Sequence, residues 1–280
     1  MQHKIGYIGF GGMAGGYHYE TAMRDDIPFT PAAVFDIDPD RRAYAESKRL
    51  KTFDNLRDFL DSRLFDFVLV ATSNQYHCSM TCAALEAGYN VMCEKPAAMS
   101  SAEIEKMIEV SKKTGKLFTV HHNRRWDRDF MIVKQSIENG DIGKPYMIEN
   151  RVPTHGGNAQ MNGWRRFADH GGGMLLDWGV HMLDQTLCLV SEPVKSVYAN
   201  ILTLRSGEVD DCSKVIITFE SGLIAQVEAS DFLPYTLPKW AVYGEDGTII
   251  VPDISGDGAK VRRIKRSHYE DSTALAYVSG

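Results

Sequence analysis

Residues near the start of the chain have the types and spacing that binding a diphosphate requires. Residues 9–14 read Gly-Phe-Gly-Gly-Met-Ala and fit the pattern G-x-G-x-x-[G/A]. Gly9 permits a tight turn, Gly11 lets the backbone approach a pyrophosphate without a Cβ in the way, and Ala14 allows a helix to pack closely on a strand. The N-terminus of the helix that follows attracts phosphate charge. The cofactor-binding residues predicted from this turn are Gly9, Gly11, Gly12, Met13 and Ala14.

Asp36 lies at the end of the next predicted strand, where an acid that binds ribose is expected about 20 residues after the glycine motif. A carboxylate there can accept hydrogen bonds from both ribose hydroxyls and would repel a 2′-phosphate, which favours NAD over NADP. Arg41 and Arg42 keep NADP as the less favoured alternative. Residues 36–39 can also be interpreted as a helix start with Asp38 as its cap, and the two interpretations are compatible.

The first 121 residues alternate strand-like runs with amphipathic helical patterns. The predicted strands are Lys4–Phe10, Ala32–Ile37, Asp66–Thr72, Asn90–Glu94 and Lys116–His121. The predicted helices are Met13–Arg24, Pro39–Arg49, Asn55–Ser62, His77–Ala87 and Ser101–Lys113. Ser100 and Glu103 have the spacing of a capping box for the last helix, and Gly115 suits its exit. Such alternation predicts an α/β fold, a doubly wound parallel sheet of the Rossmann type over residues 1–121.

From residue 122 to residue 280 the pattern is that of an α+β domain. Helices are predicted at Phe130–Glu138 and Met174–Val190, with a loop rich in Gly, Asn and Arg between them. Strands joined by turns then predict a largely antiparallel sheet. These strands are Ser196–Leu204, Lys214–Phe219, Leu223–Ala229, Trp240–Tyr243 and Thr248–Val251.

Five motifs, in order along the chain, carry a specific resemblance. They are Gly9–Ala14, residues 71–77 (Ala-Thr-Ser-Asn-Gln-Tyr-His), residues 93–96 (Cys-Glu-Lys-Pro), residues 123–125 (Asn-Arg-Arg) and residues 171–181 (Gly-Gly-Gly-Met-Leu-Leu-Asp-Trp-Gly-Val-His). Together they resemble the glucose–fructose oxidoreductase / inositol dehydrogenase / rhizopine-catabolism (Gfo/Idh/MocA) family. The resemblance spans the first two-thirds of the chain.

The resemblance implies an NAD-dependent oxidoreductase that transfers hydride between nicotinamide and a hydroxyl carbon, usually of a sugar or cyclitol. The family's pattern assigns catalysis and substrate contact to Lys95, Asp177 and His181. It implies further cofactor-binding positions at Thr72, Asn74, His77 and Glu94. Two alternatives stay open: a non-catalytic regulator that senses NAD or sugar, and a reductase of another substrate such as an imine or a dihydrodiol.

The side chains themselves suit that chemistry. Histidine titrates near neutrality and can take the hydroxyl proton as hydride leaves, while a nearby carboxylate orients it. Asp177 and His181 are four residues apart and would share one face of a helix. Lys95 can stabilise developing alkoxide charge and follows a strand, where doubly wound folds bind ligands. Taken singly, His181 is equally well explained as a core residue and Lys95 as a surface one.

Arginine and tryptophan residues near these motifs are candidates for binding a polyol. Substrate-binding residues predicted beyond the catalytic group are Arg124, Trp164 and Arg165. Arg125 and Arg166 belong to the same two clusters, and salt bridges between the domains are an equally good interpretation of both. The loops around Thr154–Arg166 are expected to set the specificity.

Composition and charge argue against several classes of partner. The 280 residues carry a net charge of −6, which argues against nucleic acid or an anionic membrane. No apolar run reaches the length of about 18 residues that a membrane helix needs. A basic run, Arg262, Arg263, Lys265 and Arg266, is better explained as a solvated face than as a phosphate patch.

Five cysteines without a CxxC motif indicate free thiols in a cytoplasmic protein. Cys78 and Cys82 are expected in the core rather than as metal ligands, and no metal site is predicted.

Family members commonly continue with a further helical segment beyond the last strands. The chain ends at Gly280, and the resemblance leaves open whether it is a short variant or part of a longer protein. A broad sheet with one uncovered face predicts a homodimer or homotetramer that forms through the C-terminal sheet.

Overall fold

A computed structural model of the chain describes residues 3–153, 163–231, 237–264 and 273–274. The chain divides into two compact units, Met1–His121 and His122–Gly280. Each unit has its own sheet and its own core. Within the described residues no helix combines the length and apolar character needed to cross a membrane.

The first unit is built on a six-stranded parallel sheet in the order β3-β2-β1-β4-β5-β6. Its strands are β1 His3–Ile8, β2 Phe29–Phe35, β3 Lys51–Phe53, β4 Phe67–Val70, β5 Asn90–Cys93 and β6 Phe118–Val120. Its α helices are α1 Tyr19–Ala22, α2 Pro39–Ser47, α3 Leu56–Asp61, α4 His77–Glu86 and α5 Ser101–Thr114. The predicted Rossmann architecture is confirmed.

Apolar side chains fill both faces of this sheet, because successive residues of a strand point to opposite sides. Tyr7 and Leu69 belong to the core on one face, and Ile8 and Val70 to the core on the other. Cys78 and Cys82 are buried in the second of these cores, as expected. Burial on both faces explains why the strands are nearly continuous apolar runs.

Two features of the first unit differ from the prediction. The sequence analysis missed β3, a three-residue edge strand that pairs with β2, because so short a run shows no periodicity. The first helix was expected to be regular from Met13, but Gly12–His18 is π-helical and only Tyr19–Ala22 is α-helical. The predicted cap at Ser100 is confirmed, since Glu103 N–H donates to Ser100 Oγ; the Glu103 carboxylate reaches back one residue further than a capping box requires and accepts from Met99 N–H.

The second unit is built on an eight-stranded sheet in the order β14-β13-β12-β11-β7-β10-β9-β8. Its strands are β7 Pro145–Pro153, β8 Val194–Leu202, β9 Cys212–Phe219, β10 Ile224–Ser230, β11 Trp240–Gly244, β12 Gly247–Val251, β13 Lys260–Arg263 and β14 Thr273–Ala274. All neighbours pair antiparallel except β7 with β10. The predicted α+β domain with a largely antiparallel sheet is confirmed.

Helices α6, Arg128–Glu138, and α7, Val180–Leu189, contribute to the core of this unit. A π-helical segment, Leu175–Gly179, directly precedes α7. The predicted helix over Met174–Val190 is therefore present, but its first turns are wider than those of an α-helix. Trp240, fully buried on β11, is the largest side chain in this core.

The sequence analysis was wrong about β7, which it assigned to a loop. This strand lies between β11 and β10 in the middle of the sheet. Its central residues Glu149, Asn150 and Arg151 are polar, so the strand lacks the apolar alternation that predicts a half-buried strand. Asn150 is fully buried there and Arg151 nearly so. The strand β13 was also missed, since it is short and carries three basic residues out of four.

Candidate active site

The glycine-rich turn joins β1 to the first helix and has the shape that a diphosphate requires. Gly9 has φ +85°, and a Cβ added there would lie 2.8 Å from the Ala71 carbonyl oxygen. No other side chain fits at that position. A Cβ added to Gly11 or Gly12 would meet no atom within 4 Å among the described residues. The turn therefore has a required glycine on its inner side and open space where a pyrophosphate would lie.

The packing of the first helix against β1 depends on small residues that follow this turn. Ala14 is fully buried, as predicted, and Met13 is half-buried. Gly15 is tightly packed as well: an added Cβ would lie 3.1 Å from the Phe10 carbonyl oxygen in the turn and 3.2 Å from the Tyr44 ring. Close packing was predicted for Ala14 alone, and Gly15 was missed.

Asp36 holds the glycine turn from the end of β2. Its Oδ2 accepts a hydrogen bond of 2.7 Å from Phe10 N–H, and its Oδ1 accepts one of 2.9 Å from Asp38 N–H. Arg42 donates to the backbone carbonyls of Asp36 and Ile37, at 2.8 and 3.0 Å. Arg42, one of the two arginines that keep NADP as an alternative, is thus bound to the loop that carries Asp36. Asp38 caps α2 through Asp40 N–H, so the capping interpretation of this segment is confirmed.

His77 connects the segments that follow β4 and β5. Its Nδ1 lies 2.7 Å from the Pro96 carbonyl oxygen, and its Nε2 lies 3.1 Å from the Thr72 carbonyl oxygen. Burial lowers the pKa of His77, so the neutral ring is favoured. Asn74, in the turn just before α4, is also buried. A neutral ring has one N–H and donates to one of these two carbonyls; the shorter contact, from Nδ1, ties the start of α4 to Pro96, directly after Lys95.

Glu94 and Lys95 follow directly after β5, and Lys95 is half-buried. Glu94 is buried beside two histidines, with Oε1 2.6 Å from His18 Nε2 and 2.9 Å from His121 Nδ1. Its Oε2 accepts a hydrogen bond of 3.1 Å from Lys95 N–H. Burial opposes ionisation of Glu94, but the two histidine contacts outweigh it and hold its pKa below the usual range. Neither histidine was given a role in the sequence analysis, because 76 and 27 residues separate them from Glu94.

In the second unit, Asp177 lies in the π-helical segment before α7. Its Oδ1 is 3.4 Å from Arg165 Nε, and the Arg165 guanidinium lies 4.6 Å from the centre of the Trp164 ring. The structure thus brings together three of the residues predicted to bind substrate or catalyse. Residues 154–162 of the predicted specificity loop lie outside the described residues, as do Lys265 and Arg266 of the basic run.

His181 lies buried in the first turn of α7, between two aromatic rings. Its ring centre is 6.3 Å from that of Trp178 and 6.4 Å from that of His122. The Arg124 guanidinium stacks on the Trp178 ring, 4.1 Å from its centre. The predicted substrate residue Arg124 and the predicted catalytic residue His181 therefore contact the same indole.

Helix α7 is held in place by polar contacts that the sequence analysis did not identify. Arg125 forms two hydrogen bonds with Asp184, of 2.8 and 2.6 Å, which is a contact within the second unit. The Asn150 amide nitrogen on β7 donates to the carbonyl oxygen of Met182, next to His181, at 3.2 Å. Lys239 Nζ, just before β11, donates to Asn150 Oδ1 at 2.5 Å.

Comparison with known proteins divides the chain as its two sheets do. Residues 3–122 match the family model described as "Oxidoreductase family, NAD-binding Rossmann fold". Residues 130–250 match the model described as "GFO/IDH/MocA C-terminal domain". Together the two matches account for most of the chain.

Among similar proteins, a myo-inositol 2-dehydrogenase of Thermotoga maritima is 28% identical over 96% of this chain and 84% of its own length. A scyllo-inositol 2-dehydrogenase (NADP(+)) of Bacillus subtilis is 26% identical over 92% of this chain and 71% of its own. The crystal structure of an NAD-binding protein from Listeria innocua is 37% identical, with a TM-score of 0.90 over 100% of this chain and 84% of that one.

Proposed function

Since the chain belongs to the Gfo/Idh/MocA family of oxidoreductases, we propose that it transfers hydride between NAD and a hydroxyl carbon of a sugar, cyclitol or related polyol. The observation that carries the proposal is the glycine turn. Its φ of +85° at Gly9 and the open space beside Gly11 and Gly12 fit a dinucleotide diphosphate. Bound there, NAD would supply the hydride acceptor.

The preference for NAD over NADP rests on Asp36. Its carboxylate is already fixed by two backbone N–H groups and keeps lone pairs for the ribose hydroxyls. The same negative charge opposes a 2′-phosphate. Arg42, the basic residue best placed by sequence to offset it, donates to backbone carbonyls instead. One relative is NADP-linked by name, so the preference is a property of these residues and not of the family as a whole.

We assign the proton transfer to His181 and the stabilisation of alkoxide charge to Lys95. In the neutral state His181 accepts the hydroxyl proton, and Asp177 favours the charged imidazole that results. Lys95 donates a hydrogen bond to the same hydroxyl oxygen. The turn that carries Lys95 is fixed by His77 and by Glu94, which supports a positioned rather than a mobile ammonium group. Trp164, Arg165 and Arg124 then contact the substrate's other hydroxyls.

The substrate class is supported by the chemistry of these last residues and by the relatives. Indole rings pack on the apolar faces of sugar rings, and guanidinium groups donate to hydroxyl oxygens. Two relatives are inositol dehydrogenases by name. A carbocyclic or pyranose polyol therefore fits this set of residues best.

The decisive experiment is a substrate panel assayed by nicotinamide absorbance. Purified protein with NAD, and separately with NADP, is mixed with inositols, aldoses, glucosides and linear polyols. Reduction of NAD by at least one cyclic polyol or sugar is the expected result. Binding of NAD with no turnover on any member would refute the proposed function and favour a sensor. Tighter binding of NADP than of NAD would refute the role of Asp36.

We also propose that the chain forms a homodimer or homotetramer through the sheet of the second unit. The edge strand β8 supports this, since all nine of its residues are exposed. They include the large side chains of Val197, Tyr198 and Ile201, each at least half exposed. Apolar surface on an edge strand is usually covered by pairing or packing. Sedimentation that finds only monomer at micromolar concentration would contradict this proposal.

A further inference from the structure

Glu94 makes two histidine contacts that the proposed hydride transfer does not use. Two histidine nitrogens, His18 Nε2 and His121 Nδ1, both point at one oxygen of this carboxylate. The three potential ligand atoms lie within 4.8 Å of one another, and no other such group of His, Cys, Asp and Glu occurs in the described residues. The centres of the two imidazole rings are 4.5 Å apart.

The donor set is that of a transition-metal site. Two imidazoles and one carboxylate, with a fourth position left for water, are the ligands of a well-known class of zinc sites. With neutral histidines the cluster has a charge of −1, which favours a cation. Each ring can offer a lone pair to a metal once its proton moves to the other ring nitrogen.

The backbone holds the ligands in place before any ion arrives. Glu94 N–H donates to the Val70 carbonyl at 2.9 Å and His121 N–H to the Cys93 carbonyl at 2.8 Å, so both residues continue the sheet register. The hydrogen bond from Lys95 N–H to Oε2 orients the carboxylate and leaves Oε1 to face the histidines. Such supporting hydrogen bonds are typical of metal ligands.

The geometry requires only a small adjustment and offers a way in. Metal–ligand bonds of about 2.1 Å in a tetrahedron separate neighbouring ligands by about 3.4 Å. The two nitrogen–oxygen separations of 2.6 and 2.9 Å must therefore open by less than about 1 Å. The two nitrogens, which lie within 4.8 Å of each other, need to approach by no more than about 1.4 Å, and side-chain rotations supply both changes. The His121 side chain is 18% exposed, and half-exposed Tyr17 lies beside both imidazoles.

We propose that His18, Glu94 and His121 bind one divalent transition-metal ion, with Zn²⁺ as the preferred ion and water in the fourth position. This goes beyond the proposed dehydrogenase function, in which Glu94 is expected to bind the cofactor and the two histidines have no role. Binding would replace the two contacts between the histidines and Glu94 with three metal–ligand bonds to one shared ion. The site thus offers metal control over the turn that carries Lys95.

The test is direct metal binding by the full chain without substrate. Protein freed of metal by chelator is titrated with Co²⁺, whose visible absorption reports tetrahedral nitrogen and oxygen ligands, and the Co²⁺ is then displaced by Zn²⁺. All proteins carry Cys188→Ser, which removes the exposed thiol. We expect one ion per chain, with affinity reduced at least about tenfold in His18→Gln and in His121→Gln.

Two variants serve as matched controls. His122→Gln changes the neighbouring histidine, whose side chain has nearly the same exposure, 19% against 18%. His170→Gln removes the half-buried histidine that pairs with Asp169. Both should bind as the parent does. The proposal would be overturned if the parent protein bound no ion, if His121→Gln bound it with unchanged affinity, or if the control variants lost as much affinity as His121→Gln. His121→Gln decides the matter even if the more buried His18→Gln does not fold, because glutamine can still donate to Glu94.

Discussion

Lys239 offers a quantitative test of how the core of the second unit buries a charged group. Its ammonium group is buried, contacts Asn150 Oδ1 and lies 5.0 Å from the centre of the Trp240 ring. Burial lowers the pKa of Lys239 from 10.5 to about 8, against the opposing charge of Asp129. Asp127 acts in the same direction as Asp129, and Arg124 lowers the pKa further.

The lowered pKa fixes both the sign and the size of a pH effect. The folded state binds fewer protons than the unfolded state between about pH 8 and pH 10.5, so the free energy of unfolding rises with pH there. Charging Lys239 costs the folded state about 3 kcal/mol at neutral pH, and the cost disappears as pH rises through the unfolded pKa. Between about pH 7.5 and pH 9.5 the gain is about 2 kcal/mol.

The perturbation is Lys239→Met, which keeps an unbranched side chain only one atom shorter and removes its charge. Urea unfolding followed by tryptophan fluorescence is the measurement, with a reductant present. All four tryptophans lie after residue 121, so the signal reports the second unit. The difference in unfolding free energy, wild type minus variant, should rise by about 2 kcal/mol over that pH interval. Using the difference cancels the titration of thiols and tyrosines that both proteins share.

A matched variant, Lys260→Met, changes an exposed lysine on β13 and should show no such trend. A wild-type-minus-variant difference that stays flat for Lys239→Met would refute the reasoning. Such a result would mean that Lys239 is not buried as a cation. Its hydrogen bond to Asn150, which in turn holds α7, would then involve no cost of burying a charge.

Three further outcomes test the proposed site. His181→Ala should lower turnover about a hundredfold or more, the usual size of acid–base catalysis. The control His170→Ala should leave turnover within a factor of about two, and equal effects of the two variants would remove His181 from the chemistry. Lys95→Ala should reduce turnover with little change in NAD affinity measured by fluorescence titration, and a parallel loss of NAD affinity would make Lys95 a cofactor-binding residue. Asp36→Asn should raise the affinity for NADP relative to NAD about tenfold or more in the same titration, because the carboxylate charge is lost while an oxygen remains to accept from Phe10 N–H. An unchanged ratio of the two affinities would contradict the role of Asp36.

Local sequence determined much of the first unit. The glycine turn, the helix cap at Ser100 and the run of apolar strands each depend on residues within a few positions of one another, so the pattern and the structure agree. The parallel sheet follows from the alternation of these elements. The family resemblance, now confirmed by the matched family models, added the expected catalytic positions.

Elements that depend on partners distant in the chain were predicted less well. β7 carries polar residues in its centre because Asn150 binds α7 and Lys239, and those partners lie far away in sequence. Periodicity detects a strand only if its buried positions are apolar. Gly15 was missed for a related reason, since one of its neighbours, Tyr44, lies 29 residues away in the sequence.

The sequence by itself therefore determined the two-sheet architecture and the residue types from which the chemistry was predicted: a turn for phosphate, an acid for ribose, a lysine to stabilise alkoxide charge and a histidine for proton transfer. Only the tertiary structure decided the surroundings of those groups. His121 meets Glu94 because the sheet brings the carboxyl ends of β5 and β6 side by side, and His18 reaches it from the helical segment that follows β1. These contacts outweigh burial and lower the pKa of Glu94, an effect that depends on atoms packed around the carboxylate and not on its neighbours in the chain.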